Sequence, residues 1–225
     1  MNTTKTEILA LLKRNGGHSI NELAAATHLA AITIRQHLTH LQRDGLVLVE
    51  ERSRSSGRPH YLFRLSAQGH AAAFPRRSDH LVELLVREIG SLGGDELAGL
   101  TPQQKTSLVL QRLAHRFADE YTPLLQGWPL QERVVFVTAV MHTDGGFAEW
   151  APTERGYEIR DFNCLFRRLL DGESQACEWH RSFLSLVLGT EVQESPCPDG
   201  AGQCCRYLVE ALPSEWPEAA AGAPG

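Results

Sequence analysis

The residues best suited to chemistry are cysteines, and their placement is uneven. All five lie between Cys164 and Cys205, spaced as Cys164-x12-Cys177-x19-Cys197-x6-Cys204-Cys205. In a chain read as intracellular, such clustering points to metal or redox chemistry rather than to disulfides. There is no C-x-x-C, which sets aside zinc ribbons, zinc knuckles and thioredoxin-type motifs, and the ferredoxin spacings fail as well. Thiolates from separate elements can still converge on an iron–sulfur cluster, whose irons take Cys ligands without a local spacing rule. Cys204 and Cys205 are adjacent, so in a strand they point to opposite faces, and at most one reaches a shared metal. His180 lies three residues after Cys177, on roughly the same helical face, and can replace a cysteine. Against all this stands the fact that a single Cys is often just a small buried hydrophobe.

A mixed set of elements must position these thiols. Leu130 to Met141 contains the β-rich run VVFVTAV, but its length suits a helix. FAEWAPTERGYEIRDF reads as a hairpin turning near Arg155-Gly156, and it delivers Cys164 at the end of its second strand. A helical run with Leu169, Cys177, Phe183, Leu184, Val187 and Leu188 follows and stops at Gly189. Strand-like pieces near Val192 and from Cys205 onward flank the loop SPCPDGAGQ, and the tail beyond Pro213 reads as disordered. Trp150 and Trp179 read as core packing. No paired acid and base, nucleophile elbow or phosphate loop is present, so no enzymatic activity is expected.

The other end of the chain has a different character. Up to Arg77, eleven Lys/Arg face five Asp/Glu, a balance of +6; of the 22 basic and 27 acidic residues in all, 11 and 22 remain beyond it, a balance of -11. Only the first part is therefore expected to meet a polyanion. Ile8, Leu11 and Leu12 share one helical face, ended by Asn15-Gly16-Gly17. Ser19 and Glu22 form a capping-box signature opening a second short helix with Leu23 and Ala24, and His28-Leu29-Ala30 makes a turn. A third helix places Ile34, Leu38 and Leu41 inward and Thr33, Arg35, Gln36 and His40 outward, where they can bond bases or phosphates; Asp44-Gly45 closes it. Two strand-like runs, LVLVEE and HYLFRL, then enclose a tip containing Arg52, Arg54 and Arg58, shaped by Gly57 and Pro59. Three helices and a basic hairpin make a winged helix-turn-helix, whose third helix enters the major groove of double-stranded DNA while the wing reaches backbone or minor groove.

Between these ends, Leu81, Leu84, Leu85 and Ile89 keep helical spacing. Thr101-Pro102 caps another helix carrying Leu108, Leu110, Leu113, Phe117 and Tyr121. Winged-helix readers commonly bind paired half-sites as two-fold dimers, so these helices are candidates for a homodimer contact, with packing inside one subunit as the alternative. The expected organisation is α+β: a winged helix-turn-helix over 1–77, a helical linker and dimerisation region over 78–128, a cysteine-containing sensor domain over 129–212 and a tail over 213–225. With 225 residues and 42% hydrophobic side chains, the chain can bury a real core. No apolar run approaches the ~18 residues of a membrane span. The start MNTTKTEILALLKRNGG lacks the order of a signal peptide, so a cytoplasmic location is expected.

Two resemblances sharpen these expectations. TIRQHLTHLQRDG from Thr33 to Gly45, followed by SSGRPHYLFRLSAQG from Ser55 to Gly69, resembles the winged-helix domains of bacterial one-component repressors of the ArsR and DeoR type. NCLF at Asn163–Phe166, CEWHRSFLSLVLG at Cys177–Gly189 and C-x2-G-x4-C-R-Y ending at Tyr207 are similar to the sensor half of the SufR family. Those proteins are cytosolic winged-helix repressors that bind an iron–sulfur cluster and control iron–sulfur cluster assembly genes. The resemblance covers both halves in order. It implies Cys164, Cys177 and Cys205 as ligands of a 4Fe–4S or 2Fe–2S cluster, with Cys197 at the fourth position and Cys204 or His180 as its rivals. It also implies that the cluster-loaded form binds DNA and represses. The alternatives are a zinc- or thiol-based sensor on the same winged helix, and a redox protein whose basic end serves docking.

Overall fold

The computed structural model describes residues 3–52, 60–75, 79–143, 146–164, 175–196 and 204–212, with the backbone alone at 52, 60 and 175–177. The chain forms two compact units, one built on Met1–Arg76 and the other on Arg77–Pro196 with the strand that begins at Cys205.

The first unit is a winged helix-turn-helix. Helices α1 (Thr3–Asn15), α2 (Ile20–Thr27) and α3 (Ala31–Arg43) precede an antiparallel pair, β1 (Val47–Arg52) and β2 (His60–Leu65), and a short helix α4 (Ala67–Ala73). Ser19 caps α2 through the expected capping box, with its hydroxyl on the Glu22 amide and the Glu22 carboxylate on the Ser19 amide. His28 ends α2 in the left-handed region, at φ 56°, and Gly45 turns the chain out of α3 at φ 72°. Ile34, Leu38 and Leu41 are buried as their spacing predicts. In α1 the buried apolar set is Ile8, Leu9 and Leu12, with Leu11 only partly covered. The apolar stripe is wider than three positions because α1 packs against α2, β2 and α4. His18 and Phe63 exchange backbone hydrogen bonds at 3.0 and 2.8 Å, tying the α1–α2 connection to the wing. Ser66 caps α4 at the Gly69 amide and donates to the Gly45 carbonyl at 2.6 Å. A Cβ on Gly69 would lie 2.0 Å from the Leu46 carbonyl oxygen, so the close approach of α4 to the start of the wing requires glycine.

The second unit begins with α5 (Asp79–Ser91), the single turn α6 (Gly94–Leu97), α7 (Pro102–Asp119), a 3-10 turn (Thr122–Leu125) and α8 (Leu130–Thr143). Thr101 and Pro102 start α7 as predicted, and 130–143 is helical, as its length suggested. The hairpin β3 (Ala148–Thr153) and β4 (Gly156–Asp161), α9 (Gln175–Leu188), β5 (Val192–Ser195) and β6 (Cys205–Glu210) complete it. Among the described residues these four strands form one antiparallel sheet ordered β3-β4-β6-β5, so β6 is inserted between β4 and β5. Residues of 78–128 and of 129–212 share a single core: Leu84, Leu113 and Phe117 pack in one cluster with Tyr157, Phe183 and Tyr207. Glu88, 2% exposed, binds Arg112 and Arg116 and ties α5 to α7. Burial pushes its carboxyl up, but the hydrogen bonds and charges of the two guanidinium groups outweigh that and hold it below the usual carboxylate range. Among the described residues no helix is long and apolar enough to cross a membrane.

Candidate functional site

Two regions carry the functional residues. In the first unit, α3 presents Arg35, Gln36 and His40 to solvent, with Thr33 half-buried at the start of the same face. The buried Ile34, Leu38 and Leu41 anchor the opposite side, so the polar face is held by packing rather than by its own contacts. The wing strands pair from Val47↔Leu65 to Arg52↔His60, which places Arg52 at the outer end of the ladder. Arg54 and Arg58 lie outside the described residues.

In the second unit, two of the four expected cysteine ligands can be placed fully. Cys164, 5% exposed, follows β4 by three residues; Cys205, 4% exposed, opens β6, and both carry thiols. Cys177 sits in the first turn of α9, with its side chain outside the description, and Cys197 lies outside the described residues. Cys204 is disulfide-bonded, which corrects the expectation that these cysteines avoid disulfides and removes Cys204 as a rival for the fourth position, because a disulfide sulfur has no thiolate to offer a metal.

Around these thiols the tertiary structure adds two residues. His180 of α9 is 7% exposed and points Nδ1 at Cys164 Sγ, 3.6 Å away. Asp161, the last residue of β4, is 2% exposed and has Oδ2 4.0 Å from His180 Nε2. The potential ligand atoms of Asp161, Cys164 and His180 all lie within 4.8 Å of one another. Cys205 is the direct cross-strand partner of Asp161 in the β4–β6 ladder. Opposed residues share a sheet face, which brings Cys205 to the same side. Burial pushes the His180 imidazole below its ordinary value, against the opposing pull of Asp161 and Cys205, so the ring is neutral near pH 7 and keeps a lone pair.

Local structure explains each placement. In β4, Tyr157, Ile159 and Asp161 alternate onto the core face, opposite Val209, Tyr207 and Cys205. Asp161 Oδ1 accepts from the backbone amides of Asn163 (2.8 Å) and Phe147 (3.3 Å), which fixes the carboxylate and the bend that carries Cys164 inward. Trp179 and His180 meet edge-on at 4.6 Å, and His180 also faces the Tyr207 ring at 5.9 Å. Trp179 stacks on Phe183 inside the core, in keeping with its predicted packing role. A neutral imidazole and two thiols are borderline and soft donors, a set that fits iron–sulfur or zinc chemistry. Asp161 was missed by sequence reasoning. The available signal was an acid at the inward phase of an alternating strand.

Helix α5 has an outer face as well. Leu84 is buried and Leu81 and Leu85 pack on the core, while Val82, Val86 and Ile89 are exposed at helical spacing i, i+4, i+7. In α7, Leu110, Leu113 and Phe117 are consumed by the core of their own subunit, and Leu108 is half-buried.

Comparison with known proteins bears on the first unit. The winged helix-turn-helix DNA-binding family matches residues 1–47. No curated protein matches the chain at a significant level. Among solved structures, Bacillus subtilis PadR in complex with operator DNA is similar over 62% of this chain and 90% of that one, at 15% identity and a TM-score of 0.28. Those values are too low for the likeness to bear on function. The family match and the fold agree: the amino-terminal part of the chain is a winged helix-turn-helix of the DNA-binding kind.

Proposed function

We propose that the chain is a homodimeric transcriptional regulator, a repressor of iron–sulfur cluster assembly genes, that senses cluster status. It reads double-stranded operator DNA through Thr33, Arg35, Gln36 and His40 of α3 and through the wing arginines Arg52, Arg54 and Arg58. Its second unit holds a 4Fe–4S or 2Fe–2S cluster on cysteines drawn from Cys164, Cys177, Cys197 and Cys205. The observation that carries this reading is one chain joining a DNA-binding fold to a buried convergence of Asp161, Cys164 and His180, with Cys205 across the ladder from Asp161. The exposed Val82, Val86 and Ile89 on α5 are the surface that supports self-association.

A bound cluster supplies a redox- and oxygen-sensitive link among the exit of β4, helix α9 and strand β6. Occupancy favours whichever conformations of those elements bind it, and its loss releases them. Swinging an operator from 1:99 to 99:1 occupancy takes a differential of about 5.5 kcal/mol between loaded and empty forms. The loaded form is the one expected to bind and repress.

The test begins with anaerobic purification, an absorption spectrum, and iron, sulfide and zinc analysis of the same sample. Loaded and emptied protein are then used to select duplexes from a randomised DNA library. Matched iron and sulfide, with a duplex enriched by only one of the two forms, supports the proposal. Enrichment by neither form removes the regulator, and identical enrichment by both removes the sensing. One observation favours a second reading. The oxygen, sulfur and nitrogen donors of Asp161, Cys164 and His180 also suit a single zinc ion, in which case the protein is colourless and carries zinc.

A further inference from the structure

We propose that His180, through Nδ1, is a direct ligand of the metal centre beside Cys164 and Cys205, and that Asp161 is its positioning residue. This rests on the metal-sensing reading above, and it replaces Cys197 by a nitrogen at the fourth position.

Three observations carry it. The first is the length of one edge. A sulfur ligand at about 2.3 Å and an imidazole nitrogen at about 2.0–2.1 Å on one tetrahedral metal stand about 3.6 Å apart. Cys164 Sγ and His180 Nδ1 are 3.6 Å apart, so one edge of the tetrahedron is in place without a change of rotamer, an arrangement that suits one iron of a 2Fe–2S cluster or a single ion rather than a 4Fe–4S cluster, whose irons take one protein ligand each. The second is the direction of the ring. Nδ1 faces the thiol, and the opposite nitrogen, Nε2, faces the Asp161 carboxylate at 4.0 Å. A carboxylate behind the far nitrogen favours the proton there and leaves the lone pair on the metal-facing atom, as in the outer shell of histidine metal ligands. The third is the bonding of Asp161 itself. Its Oδ1 is committed to the Asn163 and Phe147 amides, so the carboxylate is locked in the strand exit and offers only Oδ2 to the ring. That single free oxygen, facing Nε2, acts on the ring as an orienting charge. Cys205, directly across the ladder from Asp161, is on the same sheet face but outside the group whose donor atoms lie within 4.8 Å of one another, so it completes the site only when the metal draws it in.

The experiment uses the full chain, prepared anaerobically in four forms: wild type, His180→Ala, His180→Cys and Asp161→Asn. Each is offered iron with sulfide in one series and Co2+ alone in another. Circular dichroism checks the fold. With histidine labelled with 15N at the ring, pulsed electron paramagnetic resonance of the reduced cluster is expected to show a strongly coupled nitrogen in wild type. His180→Cys is expected to keep iron but lose that coupling. Asp161→Asn is expected to keep the coupling while metal affinity falls roughly 10- to 100-fold. With Co2+, wild type is expected to give sulfur-to-metal charge transfer and tetrahedral visible bands, both weakened in His180→Ala.

A cluster that forms in wild type without a coupled histidine nitrogen, or full iron and an unchanged spectrum in His180→Ala, overturns the ligand assignment and leaves the cluster reading standing. Failure to take iron and sulfide, together with a tetrahedral Co2+ site that depends on His180, overturns the cluster and keeps this ligand. Uptake of neither overturns both. If His180→Ala does not fold, the nitrogen coupling of wild type and its loss in His180→Cys decide the matter.

Discussion

The two units are held together by different kinds of information. In the first, almost every determinant is local. A cap at Ser19, a left-handed turn at His28, an apolar stripe of Ile34, Leu38 and Leu41, and a second cap at Ser66 each act within a few residues. In the second, the decisive contacts are remote. Asp161 and Cys205 meet across a ladder, and Cys164 meets a histidine sixteen residues on. The contrast teaches that a surface for reading a polyanion can be assembled from local rules, because it needs only a rigid helix with one polar face. A buried ligand set cannot, because each donor must be carried from a different element into one low-dielectric space.

The sharpest way to break that comparison is Cys164→Ser. It is expected to abolish cluster uptake, read as iron and sulfide per chain, while the fold and the first unit persist. Full occupancy in this variant would remove the thiol assignment altogether. Next in size is Gly69→Ala in the other unit, where the new Cβ meets the Leu46 carbonyl. A loss of about 2–3 kcal/mol is expected, seen by chemical denaturation, with DNA binding impaired and metal content retained. Equal loss of metal would show that the two units are less separable than their cores imply.

Glu88→Ala follows, at about 2 kcal/mol, since it strands two guanidinium groups that remain partly solvated. Its pH dependence has a definite sign. The folded carboxyl lies below its ordinary value, so its contribution is fully present above about pH 4.3 and is lost as pH falls through the folded value. The stability gap between wild type and Glu88→Gln should therefore shrink on acidification; a constant gap from pH 7 to pH 3 contradicts the assignment. Arg35→Ala is expected to weaken DNA binding by about 1–2 kcal/mol, roughly tenfold or somewhat more, with metal content unchanged. Unaltered affinity at physiological salt would count against α3 as the reading helix. The smallest effect is Ser19→Ala, about 1 kcal/mol from the lost cap, which thermal melting of the full chain can register.

Much of the architecture is legible in the amino-acid sequence. Caps, turns and helical stripes of the first unit appear where their residues predicted, and so do the β3–β4 hairpin, α8, the helical run from Gln175 to Leu188 (Leu169, expected in the same run, lies outside the described residues), and the strands beginning at Val192 and Cys205. Two features of the second unit were not legible. One is the insertion of β6 between β4 and β5, which no local pattern encodes. The other is Asp161, whose significance depends on what lies across the ladder from it. The helices of 78–128 were set apart in sequence, yet they share a core with the sheet, because amphipathic spacing tells which face is buried but not against what.

The sequence alone thus determined the winged helix-turn-helix, its outward polar face, the charge asymmetry and the concentration of cysteines after residue 163. These follow from side-chain period, backbone preference and net charge, all properties of neighbouring residues. Only the tertiary structure decided that Cys164, His180, Asp161 and Cys205 share one buried region. That outcome depends on strand order and on the packing of α9 across the sheet. Both are settled by the joint burial of many distant apolar side chains, a condition that no segment of the chain satisfies alone.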